Sequence, residues 1–379
     1  MMEMTRINPF ADNGWSTDMS GQELSRRSLL QSMAVASAVG TLPVFVSMSS
    51  SAADAVNLTL PWIPEGEVAF MYAARKEGFW AKRGLDVAIT RGFGSGEAAK
   101  NVGLKRYEYG QADIGAMIKT SASGVPLVSI AMVNQRSPVI ILSLKGSGIS
   151  KPKDLEGKRL GGAPAGAANQ LWPAFARANN IDVSKVKMIS LQPGLNIQAL
   201  TNKDVDAVAT VYQSSVPYLL ADNIPYEIMF YSAYGLDIYS LTFITSVDRL
   251  QASTNQVRAF VEGAMEGLKL SYLNPQQTLD DFVEQIPESG KTQRDRAITM
   301  SSLLINTAEG LTDDVKSNGL GWHDERKMKH TLEVGSSYLN LPTTPALGTL
   351  YTNQFIGTVK LTDAEWAKAR DLAKSYLFG

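Results

Sequence analysis

The stretch 58–115 constrains this chain more than any other part of it. A short apolar run at 58–60 stops at Pro61. Pro64 and Gly66 break the chain, and a helical pattern then runs over 68–82 until Gly84 ends it. Leu85, Val87 and Ile89 alternate with their neighbours, as a strand edge does. Gly92, Gly94 and Gly96 follow at a strand-to-helix junction, and another helix and a third short strand complete the stretch. A strand–helix–strand series of this kind builds a parallel sheet with crossover helices. Ligands of such sheets bind beyond the carboxyl ends of the strands. Segments 62–67 and 92–97 are therefore expected together on one pocket edge.

Composition narrows the chemistry. With 36 Lys+Arg against 37 Asp+Glu the net charge is -1, so the basic stripe that nucleic acid requires is not expected. There is no cysteine, which removes disulfides, thiolate catalysis and cysteine metal sites. The two histidines, His323 and His330, are too few for a histidine-rich metal site. Seven apart on a predicted helix, they are expected at the surface. Neither cofactor nor metal is expected.

The N-terminus reads as a targeting segment. Ser25-Arg26-Arg27-Ser28-Leu29-Leu30-Gln31 resembles a twin-arginine export signal, and a mildly apolar run follows over 33–46. Ala53-Asp54-Ala55 has the small-x-small form of a signal peptidase site, so cleavage is expected after Ala55. The apolar run is short and interrupted for a membrane anchor. With no cysteine to lipidate, the mature protein is expected free in the periplasm.

Four parts are expected: a signal peptide at 1–55, a first lobe beginning at 56–146, a second lobe at 147–242, and a return to the first lobe with C-terminal helices at 243–379. The hinge is placed at the flexible Lys145-Gly146-Ser147-Gly148 and the polar stretch 151–158. The segment after it repeats the order of the first: strand, small-residue loop, helix, strand, helix, and a strand led by Asp206 as Asp113 leads its counterpart. Helices are predicted over 254–273, opened by Ser253 with Gln256, and over 276–285, 292–309 and 324–338. A last one, opened by Thr362 with Glu365, runs to about 377.

In combination these motifs resemble a known family. Trp62-Ile63-Pro64, Ala74-Arg75-Lys76-Glu77-Gly78-Phe79-Trp80 leading to Gly84-Leu85-Asp86-Val87, Gly92-Phe93-Gly94-Ser95, Gly110-Gln111-Ala112-Asp113-Ile114-Gly115 and Lys153-Asp154-Leu155-Glu156-Gly157-Lys158 carry the likeness, over about 56–340. It is to the periplasmic binding proteins of ABC importers, in the group with nitrate, taurine and alkanesulfonate binders and the thiamine-pyrimidine-precursor-synthesis-like proteins. The resemblance implies an α/β, two-lobed periplasmic binding protein of type II, with two crossover hinges and a helical C-terminal region. It implies capture of a small molecule in the cleft, delivery to an ABC permease, and no catalysis; a monomer is expected. Fungal relatives that synthesise a thiamine pyrimidine carry a cysteine-rich motif, which this chain lacks. Bacterial relatives that bind a pyrimidine precursor often carry Asn and His after the first Trp-x-Pro; Glu65 and Val68 stand in that stretch here.

Thirteen residues are candidates for the cleft, each with a plainer alternative. Trp62 can stack on a planar ligand, or pack its own lobe. Glu65 and Glu67 can accept from an amine or hydroxyl, or be solvated loop charges. Ser95 and Gly96 open a helix whose free N–H groups suit an anion or carbonyl, or simply cap it. Gly166, Ala168 and Asn169 form the matching helix start in the second lobe, and Trp172, on the first turn of that helix, can face the cleft or pack against its own lobe. Gln135, Tyr212 and Gln213 follow strand ends. Lys119 matters if the ligand is an anion. The expected ligand is small, planar and nitrogen-containing, of the pyrimidine-precursor kind. Sulfonate, taurine or nitrate is the alternative, and an enzyme or a sensor ranks behind both.

Overall fold

The computed structural model describes residues 53–338 and 341–376. The expected export signal lies outside these residues except at its end, where Asp54 and Ala55 already pair with Leu85 and Asp86 in the first strand. Among the described residues no helix is long and apolar enough to cross a membrane.

Alternating β and α elements fill the first two thirds of the described chain. Strand β1 (Asp54–Thr59), helix α1 (Ala69–Lys76), β2 (Leu85–Thr90), α2 (Ser95–Gly103), β3 (Tyr109–Asp113), α3 (Ile114–Ala122) and β4 (Leu127–Met132) come first. Next are β5 (Val139–Leu144), β6 (Arg159–Gly162), α4 (Ala167–Ala178), β7 (Lys187–Ser190), α5 (Asn196–Thr201), β8 (Ala207–Val211), α6 (Tyr212–Ala221) and β9 (Tyr226–Phe230). Strand β10 (Leu241–Ser246) precedes α7 (Val247–Ala252), α8 (Thr254–Leu273), α9 (Pro275–Gln285) and α10 (Gln293–Gly310). Helices α11 (Asp313–Asn318), α12 (Glu325–Tyr338), α13 (Leu347–Leu350) and α14 (Asp363–Leu372) end the chain.

Two five-stranded sheets result, ordered β2-β1-β3-β10-β4 and β7-β6-β8-β5-β9. Each has a parallel trio, and in each the fourth strand runs antiparallel to both neighbours. The fourth place in each sheet is filled by a strand outside the main run of that lobe: β10 in the first, β5 in the second. The chain therefore crosses between lobes twice, after Met132 and after Phe230.

The first crossover corrects the placement of the hinge. The run 139–144 pairs with β8 and β9 in the second sheet, so the chain has left the first lobe before Val139. Gly146 and Gly148, with φ of 84° and 74°, only turn the chain at the far end of that sheet. An apolar buried strand reads the same in either sheet, and its partners lie 64 to 90 residues downstream. Val133 and Asn134 N–H groups donate to Leu241 O, so the two crossovers are bonded side by side.

Each lobe has an aromatic core. In the first, Phe260 of α8 lies between Tyr109 and Trp80, with centroids 3.8 and 5.6 Å away. Trp80 Nε1 also donates to Phe260 O. In the second, Phe175 stacks on Tyr231 at 4.2 Å and on Trp172 at 6.0 Å. Helix α8 matches the predicted 254–273, although Ser253 makes no side-chain cap. The capping boxes Thr292–Asp295 and Thr362–Glu365 both form. Helix α1 stops at Lys76, short of the predicted end, because the chain turns at Gly78 with φ 71°. Helix α14 likewise ends at Leu372, before 377.

Helix α10 packs on α6 of the second lobe and on the turn Gly66–Val68 of the first. It thus contacts both sides of the cleft.

Candidate functional site

A cavity of about 420 Å³ lies between the lobes, beyond the carboxyl ends of the parallel strands. Its first-lobe wall is the loop after β1, which carries Trp62, Glu65 and Glu67. Gly66 is pressed against α10, where a Cβ would lie 2.1 Å from Thr299 O. That approach draws Glu67 into the interior, 3% exposed. Its Oε1 accepts from Ser214 Oγ at 3.1 Å and its Oε2 from Ser302 Oγ at 3.0 Å. Glu65 is half-buried. Its Oε1 accepts from Tyr218 Oη at 3.2 Å, while its buried Oε2 has no partner.

The second-lobe wall is made of the β6–α4 loop, the start of α5 and the first turns of α6. Gly166, Ala167 and Ala168 offer backbone and little side chain. Asn169 and Asn196 each present a buried side-chain oxygen without a partner. Gln213 is 1% exposed, and neither end of its amide is paired. Asn196 Nδ2 donates to Thr210 Oγ1, which is itself 2.7 Å from Ser215 Oγ. Arg294, from the first turn of α10, reaches the wall and forms a two-point ion pair with Asp222, both bonds 2.6 Å.

Burial dominates the electrostatics. Desolvation, with Glu67 adding like-charge repulsion, holds the Glu65 carboxyl well above its usual range. Burial also raises Glu67, against the hydroxyls that bond it. Behind Glu67 on α10, the fully buried Glu309 is raised well above its usual range by desolvation and by Glu67. Glu309 accepts from Asn134 of the first crossover. Beneath Ser240, burial pushes Asp113 up to about 6, and Ser240 Oγ donates to it at 3.1 Å. Among the described residues no group of three or more His, Cys, Asp and Glu is placed to hold a metal ion.

Of the candidate residues, the cavity brings together Trp62, Glu65, Glu67, Ser95, Gly166, Ala168, Asn169 and Gln213. The other five are not on its wall. Gly96 opens α2 with nothing near its missing side chain. Ser95 lines the cavity from inside α2, whose N-cap is Gly94. Lys119 is exposed and donates to Gln170 on the other lobe. Gln135 donates to Trp322 O and ties the first crossover to the C-terminal region. Trp172 packs on Phe175 in the second-lobe core, and Tyr212 lies edge-on to Phe230. Of the aromatic candidates Trp62, Trp172 and Tyr212, only Trp62 lines the cavity.

Tyr218, Ser214 and Arg294 belong to the wall and were missed. Ser214 and Tyr218 share a helix face four residues apart, just after Gln213, so extending the strand-end rule by one helical turn finds them. Nothing local marks Arg294. His323 is a further correction. It precedes α12 and is 1% exposed, bonded to Ser129 Oγ at 2.6 Å and Asn353 Oδ1 at 2.9 Å. His330 is exposed.

Two lobes, two crossovers and a cavity at the strand ends agree with sequence comparison. The NMT1/THI5-like family profile matches residues 65–278, more than half of the chain. The chain belongs to that family. Among individual relatives, the riboflavin-binding protein RibY of Chloroflexus aurantiacus is 21% identical, over 79% of this chain and 86% of its own. The formylaminopyrimidine-binding protein of Halalkalibacterium halodurans is 22% identical, over 60% of this chain and 70% of its own. The 4-amino-5-hydroxymethyl-2-methylpyrimidine phosphate synthase of Legionella pneumophila is 25% identical, over 41% and 48%. In solved structures the fold is that of the alkanesulfonate-binding protein SsuA of Xanthomonas axonopodis pv. citri (TM-score 0.59, 13% identity, 80% of this chain and 99% of that one). This NMT1/THI5-like chain thus has the periplasmic binding protein fold.

Proposed function

We propose that this protein is a periplasmic solute-binding protein that hands a small planar, nitrogen-containing molecule of the pyrimidine-precursor kind to an ABC-type importer. The observation that carries the reading is the cavity wall itself. Two aromatics, Trp62 and Tyr218, stand on the same wall as buried polar atoms without protein partners, at Glu65, Gln213, Asn169 and Asn196. A flat molecule rich in N–H groups satisfies such a wall, and unpaired buried acceptors cost stability until it does. Relatives named for binding riboflavin and formylaminopyrimidine support the same class.

The lobes touch across the cleft, through Tyr218–Glu65, Ser214–Glu67 and Arg294–Asp222, so a ligand between them is held from both sides. Such a ligand favours the closed arrangement because only there does it contact both lobes. Among the described residues none on the wall pairs a nucleophile with a histidine or cysteine base, which supports binding over catalysis. Export through the Arg26-Arg27 signal, cleavage after Ala55 and a monomeric state belong to the same proposal.

The alternative, a sulfonate, taurine or nitrate binder, has the fold of SsuA in its favour. The wall disfavours it, since its one cation is engaged by Asp222. A thermal-shift screen separates the two. Stabilisation by aminopyrimidines supports the proposal; stabilisation by taurine or nitrate alone overturns it. Mass spectrometry of material released from purified protein then identifies the molecule.

A further inference from the structure

We propose that the cleft takes its ligand as a cation, with an amidinium-type or protonated ring N–H group seated on the free oxygen of Glu65. The inference rests on the solute-binding reading and specifies the charge of the molecule bound.

The charge census of the cavity is one-sided. Among the described residues its wall carries three carboxylates, Glu65, Glu67 and Asp222, and a single cation, Arg294. The cation is spent, because both Asp222 oxygens are bonded to it. Glu65 and Glu67, two residues apart on one loop, therefore share the interior with no positive partner. Further acidity stands behind them: Glu309 on α10 behind Glu67, and Asp113 beneath Ser240. Lys119 does not reach the wall, being held outside by Gln170.

The two glutamates are differently committed. Both Glu67 oxygens are saturated by serine hydroxyls. Glu65 has one oxygen on Tyr218 and one buried and unpartnered. The free oxygen is the place where a donor on the ligand is required. Gln213 and the side-chain oxygens of Asn169 and Asn196 surround the same space, also unpaired. A buried carboxylate without a counter-charge keeps a proton instead. A cationic ligand replaces that proton, so binding releases up to one proton from the Glu65–Glu67 pair and leaves a charge-assisted bond.

Three single-ring probes of similar size differ in charge: benzamidinium, benzamide and benzenesulfonate. Their dissociation constants for the full mature protein are measured by titration calorimetry near neutral pH, in two buffers of different ionisation enthalpy. Benzamidinium is expected to bind roughly tenfold or more tighter than benzamide, as a charge-assisted bond exceeds a neutral one. Proton release is expected to accompany it, and benzenesulfonate is expected not to bind. Glu65→Gln is expected to abolish the preference for benzamidinium and the proton release. The same comparison on unsubstituted protein stands if that variant fails to fold. Equal binding of benzamidinium and benzamide, or benzamidinium binding without proton release, overturns the cation proposal and leaves the planar-ligand reading intact. Binding of benzenesulfonate alone, or of none of the three, overturns both.

Discussion

Tyr218 and Glu65 stand on opposite lobes and are joined across the cleft, Tyr218 Oη donating to Glu65 Oε1 at 3.2 Å. Beside them Ser214 makes the same crossing to Glu67. The loop that carries the acceptors thus both lines the cavity and bonds the opposite lobe.

Tyr218→Phe removes one of these crossings and leaves the ring in place. A hydrogen bond to a charged or charge-sharing partner contributes about 1.5–3 kcal/mol. Affinity for the ligand recovered from the native protein is expected to fall roughly tenfold or more. Small-angle scattering of the unliganded protein is expected to move toward a larger radius. Unchanged affinity and scattering together would show that the bond does not hold the lobes.

Gly94 lies at a close contact of the two cleft rims. Its φ is 138°, and a Cβ there would stand 2.3 Å from Ala165 O on the second lobe. Gly94→Ala meets backbone, which does not yield as a flexible side chain does. The strained φ adds about 1–3 kcal/mol. Far-UV circular dichroism is expected to stay native while ligand affinity falls by roughly tenfold or more. Retained affinity would mean that the rims need not close this far.

Gln213 keeps both ends of its amide buried without a partner in the protein. Replacing it with a leucine of similar size removes that penalty, about 1–3 kcal/mol. Gln213→Leu is therefore expected to raise the melting temperature of the unliganded protein and to abolish the ligand-induced shift. A variant that melts lower and still responds to ligand contradicts this.

His323 is buried neutral, and desolvation pushes it down to about 4. The unfolded chain takes up its proton near 6.5, so stability from this residue is present above that pH and is lost as pH falls toward about 4. Asp113 acts oppositely. Its folded value is raised to about 6, so its contribution is present below about 4 and is lost as pH rises through about 6. Denaturant midpoints between pH 4 and 7 test this. His323→Gln is expected to flatten the acid limb, and Asp113→Asn to flatten the opposing decline. Parallel curves for all three proteins would rule out both assignments.

Elements with a local signature were legible. Helix α8 runs from after Ser253 to Asn274-Pro275, and capping boxes set α10 and α14. The strand-end rule reached Trp62, Glu65, Ser95, Asn169 and Gln213 because each follows a parallel strand or opens the next helix. It overreached at Trp172, which is only one turn beyond but faces the core. Gln135 was read as cleft-facing because it follows β4; the chain had by then entered a crossover.

Periodicity, turn residues and caps by themselves determined two α/β halves and where each parallel strand delivers its loop. These depend on neighbours within a turn or a strand. Tertiary structure alone decided that β5 crosses to the second sheet, that Arg294 spends its charge on Asp222, and that His323 is buried between Ser129 and Asn353. Each depends on a partner some 30 to 190 residues away. Local pattern fixes which face of an element is apolar, but which distant surface covers it is set only when the whole chain packs.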